Sequence, residues 1–150
     1  MVKIKFKKLV EDAIMPTQAN KGDAGWDVRA AEQLIIRPYS CAKVKTGLSV
    51  EIPVGYELQV RGKSGLALNE NITIAQGIGT IDAGYRGEVC VLIYNQACHI
   101  KRIEKGAMIA QLVLGKVYDV EWELTTDLTE SERGAKGFGS TPTKKTNENV

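Results

Sequence analysis

The chain has 150 residues, enough for one domain with a buried core, and its 43% hydrophobic and 25% charged content is that of a globular protein. A net charge of +2, with the positive residues scattered, gives no reason to expect a nucleic-acid partner. Cys41, Cys90 and Cys98 lack Cys-x-x-Cys spacing and His99 is the single histidine, so a tetrahedral Cys/His zinc site is not expected.

In chain order, Lys3, Lys5, Lys7 and Lys8 come first, alternating with Val2, Ile4 and Phe6. The pattern predicts a strand with a solvated lysine face. Val44, Thr46, Leu48, Val50 and Ile52 then alternate with polar or small residues, as a half-buried strand does. Pro53-Val54-Gly55 turns the chain, and Tyr56, Leu58 and Val60 resume the alternation. Residues 64–69 form the best helical candidate, and no segment offers an amphipathic helix of three turns. Residues 72–74 and 89–94 are apolar and flank Gly79-Thr80-Ile81-Asp82-Ala83-Gly84-Tyr85-Arg86-Gly87-Glu88, which reads as a hairpin tip between two strands. The second of these, 89–94, has the unbroken apolarity of a strand buried on both faces. Residues 108–113 and 117–124 predict two more strands. Many short strands at close spacing indicate an all-β sandwich, jelly roll or barrel. From Thr125 the composition turns polar and then glycine-rich, as in a carboxy-terminal tail that moves when nothing is bound. No apolar run approaches the roughly 18 residues of a membrane span, and no leader-like segment precedes Val2. The expectation is a cytoplasmic protein with reduced cysteines and no membrane partner.

Five segments carry candidate chemistry. In residues 79–88 an acid, Asp82, an aromatic, Tyr85, and glycines that bare the backbone would suit a planar, hydrogen-bonding ligand, although Asp and Gly also populate ordinary turns. Ala24-Gly25-Trp26-Asp27 contains an acid that alone would be a turn or strand-edge residue. In Arg61-Gly62-Lys63-Ser64-Gly65-Leu66-Ala67 a strand ends in a cation, a hydroxyl and a glycine. A helix start of this kind exposes amides to phosphate, but Ser64 could equally be a plain N-cap. It is not a Walker A loop, because position 57 is Glu. In Gly106-Ala107-Met108-Ile109-Ala110-Gln111-Leu112, Gln111 interrupts an apolar strand and either faces solvent or donates to a ligand. Arg133-Gly134-Ala135-Lys136-Gly137-Phe138-Gly139-Ser140-Thr141 combines cations, accessible amides and hydroxyls, the parts of a flexible phosphate clamp.

In this order, the five segments resemble the five motifs of the trimeric dUTP pyrophosphatases (dUTPases), from the twenties to residue 141. The resemblance implies a distorted jelly roll or β-barrel of the β-clip kind. It implies a barrel domain over residues 1–125 and a mobile glycine-rich arm over 126–150. The chains would form a homotrimer with shared active sites at subunit interfaces, each arm closing a neighbour's site. The implied reaction is dUTP plus water to dUMP plus pyrophosphate, which removes dUTP from the nucleotide pool and supplies dUMP for thymidylate synthesis. Asp82 would be the general base and Tyr85 would pack under the deoxyribose and exclude a 2′-hydroxyl. Backbone at Gly79, Thr80, Ile81 and Cys90 would read uracil, with Gln76 near the base. Ser64 and Gly65 would hold phosphate near the scissile bridge, with Lys63 as a point charge, and Gln111 would reach phosphate from another subunit. Asp27 would support a Mg2+–triphosphate region through water or phosphate. Arg133 and Ser140 would bind the outer phosphates within the tail segment Lys136, Gly137, Phe138 and Gly139, with Phe138 stacked on uracil.

The chain departs from the family pattern at Lys63, where Arg is usual, at Lys136, where Gly is usual, and at Pro142 in place of a terminal glycine. Lys63 keeps the charge but not the bidentate fork of Arg. A dCTP deaminase shares the fold but would need an extra acid and other base contacts. A catalytically dead nucleotide sensor would be favoured by loss of the acid at position 82, which is present. A structural β-sandwich without ligand would not carry five motifs in order.

Overall fold

A computed structural model of the chain describes residues 1–137. They fall into two units, Met1–Tyr118 and the part of Asp119–Val150 that is described. The first unit contains ten strands and one short helix: β1 (Lys5–Lys8), β2 (Gly25–Arg29), β3 (Leu34–Ile36), β4 (Cys41–Glu51), β5 (Tyr56–Arg61), α1 (Ser64–Glu70), β6 (Ile72–Ile74), β7 (Gly79–Ile81), β8 (Glu88–Asn95), β9 (Lys101–Ile103) and β10 (Met108–Lys116). One four-stranded sheet has the order β1-β4-β8-β6 and another β2-β10-β5-β7, with β3 and β9 as a separate pair. Each pairing is antiparallel, and none joins strands consecutive in the chain. The chain therefore crosses between sheets, as in a jelly roll. The core lies where Val28, Leu58, Val60 and Leu112 of one sheet meet Val44, Val89, Val91 and Ile93 of the other. Each such side chain, fully buried, contributes about 1.5–3 kcal/mol.

Alternation along β4 holds as predicted, with Val44, Thr46, Leu48 and Val50 buried. Gly47 and Ser49 are buried as well, because the register slips: Lys45 pairs with Cys90 and Ser49 with Glu88, so four steps of β4 span two of β8.

Several expectations are corrected. Residues 79–88 are not a hairpin tip. β6 and β8 do pair, Ile72 with Asn95 and Ile74 with Ile93, but β7 between them crosses to the other sheet and pairs with β5 through Val60 with Gly79 and Leu58 with Ile81. Gly79 and Ile81 turn into the core while Thr80 stays out, which seats β7 on that sheet. β8 is not buried on both faces: Val89, Val91 and Ile93 are buried, whereas Leu92 is 39% exposed. A sheet with one face on the core gives this alternation however apolar its outer residues are. All four residues of β1 are exposed, so Phe6 does not reach the core. Residues 117–124 form no strand. Val117 donates to Gly55 O at 2.9 Å, and no described segment offers a ladder to Val120, Trp122 and Leu124, all exposed.

α1 starts one residue earlier than a Ser cap would place it. Lys63 is the N-cap, extended at φ −101° and ψ 128°, without a side-chain cap bond, and Ser64 is the first helical residue. Asn71, in the left-handed region at φ 53°, ends the helix by donating to Leu66 O. No helix among the described residues is long and apolar enough to cross a membrane.

Candidate active site

The crossover from β7 to β8 lines a depression of about 200 Å3 that gathers Gln76, Thr80, Ile81, Asp82, Tyr85 and Cys90. All six are site residues expected from the sequence; Glu88, Val89 and Leu92 line it as well, without an expected site role. β7 is an edge strand, so the backbone groups on its side away from β5 have no ladder partner. The β6–β8 ladder reaches only from Ile93 to Asn95, which leaves Cys90 beyond its end. Bare backbone from two strands thus borders one hollow, as a base-reading surface requires. Asp82 stands exposed at the end of β7, and its carbonyl accepts from Tyr85 N at 3.0 Å, closing the turn.

Tyr85 is 45% exposed, and its hydroxyl donates to Glu88 O at 2.9 Å. The ring lies so close over Gly87 that a Cβ there would strike it. A Tyr held at both ends presents its ring face rather than its hydroxyl. Burial, and next the Glu88 carboxylate, push the Cys90 thiol up, which keeps it protonated. Gln76 packs its amide against Gly79, at the entrance to β7.

A second depression, of about 320 Å3, contains Asp27, Lys63 and Gln111. Strand order brings them together. On β10, Gln111 is opposite Asp27 of β2 on one side and Arg61 of β5 on the other. Asp27 is 9% exposed, and Lys63 Nζ is ion-paired with its Oδ1. The Asp27 backbone is bridged to Thr17, donating at 2.7 Å and accepting at 3.2 Å. Gln111 Nε2 donates to Gly62 O at 2.9 Å, which fixes the amide at the rim of the hollow and leaves its second N–H uncommitted to that carbonyl. Gly25 makes room for it, because a Cβ there would overlap the Gln111 amide. Ser64 and Gly65 follow Lys63 at the start of α1, and both are exposed.

Asp23 and Ala19 also line this hollow and were not singled out in the sequence. The turn signal Asn20-Lys21-Gly22-Asp23 pointed to them: the Asp23 carboxylate accepts from Asn20 N at 2.9 Å and folds the segment back. Among the described residues no three His, Cys, Asp or Glu side chains cluster as a metal cage. Two carboxylates in one hollow are hard oxygen donors, which fits a Mg2+ ion that keeps its waters and takes its other ligands from phosphate.

In the second unit, Arg133 Nε donates to Lys136 O at 3.0 Å and Lys136 N to Arg133 O at 3.2 Å, so the two cations sit on one tight turn that leads to Gly137. Phe138, Gly139 and Ser140 lie outside the described residues.

The same architecture and sequence recur in known proteins. Residues 11–142 match the model of the family described as dUTPase. The deoxyuridine 5'-triphosphate nucleotidohydrolase of Clostridioides difficile is 44% identical over 141 residues, covering 94% of this chain and 99% of that protein. That of Helicobacter pylori strain Shi470 is 40% identical over 144 residues, covering 96% and 99%. Among solved structures, the Staphylococcus bacteriophage 80alpha dUTPase with dUPNHPP superposes with a TM-score of 0.88 at 31% identity, covering 94% of this chain and 99% of that one. The bacteriophage phi11 dUTPase, whose D95N mutant coordinates a structural Mg(II) ion, gives 0.79 at 27% identity, covering 85% and 99%. With matches spanning nearly its whole length and two hollows built from the motif segments, this chain belongs to the dUTPase family.

Proposed function

We propose that the chain hydrolyses dUTP to dUMP and pyrophosphate, the β7–β8 hollow taking the nucleoside and the Asp27–Lys63–Gln111 hollow the phosphates. The observation that carries this reading is the meeting, in one hollow, of unpaired strand backbone, the Asp82 carboxylate and the Tyr85 ring. A nucleobase pairs with backbone amides and carbonyls as a neighbouring strand would, so Gly79, Thr80, Ile81 and Cys90 select uracil, with Gln76 beside the base. The deoxyribose packs on the Tyr85 ring, and a 2′-hydroxyl has no room there.

Asp82 accepts the proton of the attacking water as its oxygen bonds to the α-phosphorus. The bond from that phosphorus to the bridging oxygen breaks, and pyrophosphate leaves with the electron pair. Lys63 exchanges its ion pair with Asp27 for phosphate, while Ser64 and Gly65 offer a hydroxyl and an unencumbered amide beside it. Asp27 and Asp23 would hold a Mg2+ ion through its waters, and such an ion would supply charge neutralisation for the leaving pyrophosphate. Gln111 completes the phosphate hollow. The tail, with Arg133 and Lys136 on the described turn and Gly137, Phe138, Gly139 and Ser140 after it, closes over the phosphates and the base. The assembly is a homotrimer in which the two hollows of one site come from neighbouring subunits and the tail from another.

A panel of dUTP, dCTP, dTTP and UTP with Mg2+, scored for pyrophosphate and for ammonia, tests the reading. Pyrophosphate from dUTP alone is the expected result. Ammonia from dCTP, or equal turnover of all four, would contradict it.

A further inference from the structure

The crossover that carries Tyr85 is tied down almost carbonyl by carbonyl. Tyr85 N closes the turn on Asp82 O at 3.0 Å, and Arg86 Nη1 donates to Ala83 O at 2.6 Å and Tyr85 O at 2.8 Å. The following carbonyls are held from β4, on the opposite sheet from β7. Ser49 Oγ donates to Arg86 O at 2.7 Å, and Thr46 Oγ1 donates to Val89 O at 2.6 Å. The Glu88 side chain reaches back, its Oε1 accepting from Gly47 N at 2.9 Å. Glu88 O takes the Tyr85 hydroxyl.

All three β4 contacts fall within the slipped register between Lys45 and Ser49. Gly47 adopts φ 69° there, and its N–H turns out of the ladder toward the Glu88 carboxylate. The bulge is thus a cradle for the β7–β8 crossover.

We infer that this cradle sets sugar selectivity: Ser49 and Glu88 are positioning residues that hold the Tyr85 ring where it admits deoxyribose and rejects ribose. The inference rests on the proposed function, in which Tyr85 contacts the sugar. Neither residue touches the reacting atoms. Both act by fixing the backbone on either side of Gly87, over which the ring lies. A ring held by fewer contacts rocks away from Gly87 and leaves space for a 2′-hydroxyl.

The test compares kcat/KM for dUTP with that for UTP in the wild type, Ser49→Ala, Ser49→Thr, Glu88→Ala, Glu88→Gln and Tyr85→Ala. One lost hydrogen bond corresponds to about a tenfold change. Ser49→Ala and Glu88→Ala are therefore expected to lower the dUTP/UTP ratio about tenfold each, chiefly by raising turnover of UTP. Ser49→Thr keeps the hydroxyl and Glu88→Gln keeps an acceptor for Gly47 N, so both should restore the ratio. General damage to the fold would lower both substrates together and leave the ratio unchanged; that result would overturn the inference. So would selectivity that is lost in Tyr85→Ala but intact in both cradle variants, leaving the role of Tyr85 standing. A wild type that turns over UTP as well as dUTP would remove both.

Discussion

The two hollows of the first unit are built on opposite principles. The β7–β8 hollow is made from backbone that no ladder uses and from a loop whose polar groups are already bonded to one another and to β4. It carries one exposed carboxylate, Asp82. The other hollow is closed on itself. Its cation is spent on its own buried acid, and its amide on a backbone carbonyl. A polar ligand must replace those contacts. The contrast suits the proposed division of a nucleotide, in which the uncharged half would be recognised by preorganised edges and the charged half by exchanging ion pairs. Preorganisation supports discrimination, and exchange lets the phosphate product leave.

The largest expected difference between the hollows comes from Asp82→Asn. Removing a general base should lower kcat by about 10²–10⁴-fold while dUMP binding is unchanged, read by pyrophosphate release and calorimetry. A variant that turns over near the wild-type rate would take the water-activating role away from Asp82.

A pair of glycine variants sharpens the comparison. Gly87→Ala pushes a Cβ into the Tyr85 ring, and Gly25→Ala pushes one into the Gln111 amide. The first should weaken dUMP binding by about tenfold, equivalent to some 1.4 kcal/mol, with little effect on inhibition by pyrophosphate. The second should do the reverse. If both variants lose the two ligands in parallel, the hollows do not divide the nucleotide as described.

The smallest effect concerns Cys90. Burial and Glu88 raise its pKa, so the reactive thiolate is withheld until pH climbs above the ordinary cysteine range. At pH 8, iodoacetamide should modify it a few-fold more slowly than the exposed Cys41 and Cys98, with mass spectrometry as the readout, and dUMP should slow it further. Equal rates at the three thiols, or no protection by dUMP, would move Cys90 out of the nucleoside hollow.

Much of the first hollow was legible in the chain because it is nearly contiguous. Gln76, Asp82, Tyr85 and Cys90 lie within fifteen positions, and a turn between apolar runs announces them. What was misread is the path of that turn. β7 has three residues, too few for a period to show, and its partner β5 lies some twenty positions upstream across a helix, so nothing local distinguishes a sheet-to-sheet crossover from a hairpin. Alternation places Ser49 on the outward side of its strand, since a slip of register leaves no mark on the pattern. The second hollow was legible only as three separate segments. Asp27, Lys63 and Gln111 become neighbours through strand order, which is a tertiary fact. The apolar residues Val120, Trp122 and Leu124 suggested a strand by composition, yet a strand exists only where a ladder is offered.

The central claim is that one hollow reads the nucleoside and the other grips the phosphates. Calorimetry of Lys63→Met with dUMP and with a nonhydrolysable dUTP analogue, both in Mg2+, tests it most directly. Losing a charge-assisted contact should weaken the triphosphate analogue by about 10–100-fold while dUMP affinity stays within about twofold. Equal weakening of both ligands, or of neither, would contradict the account.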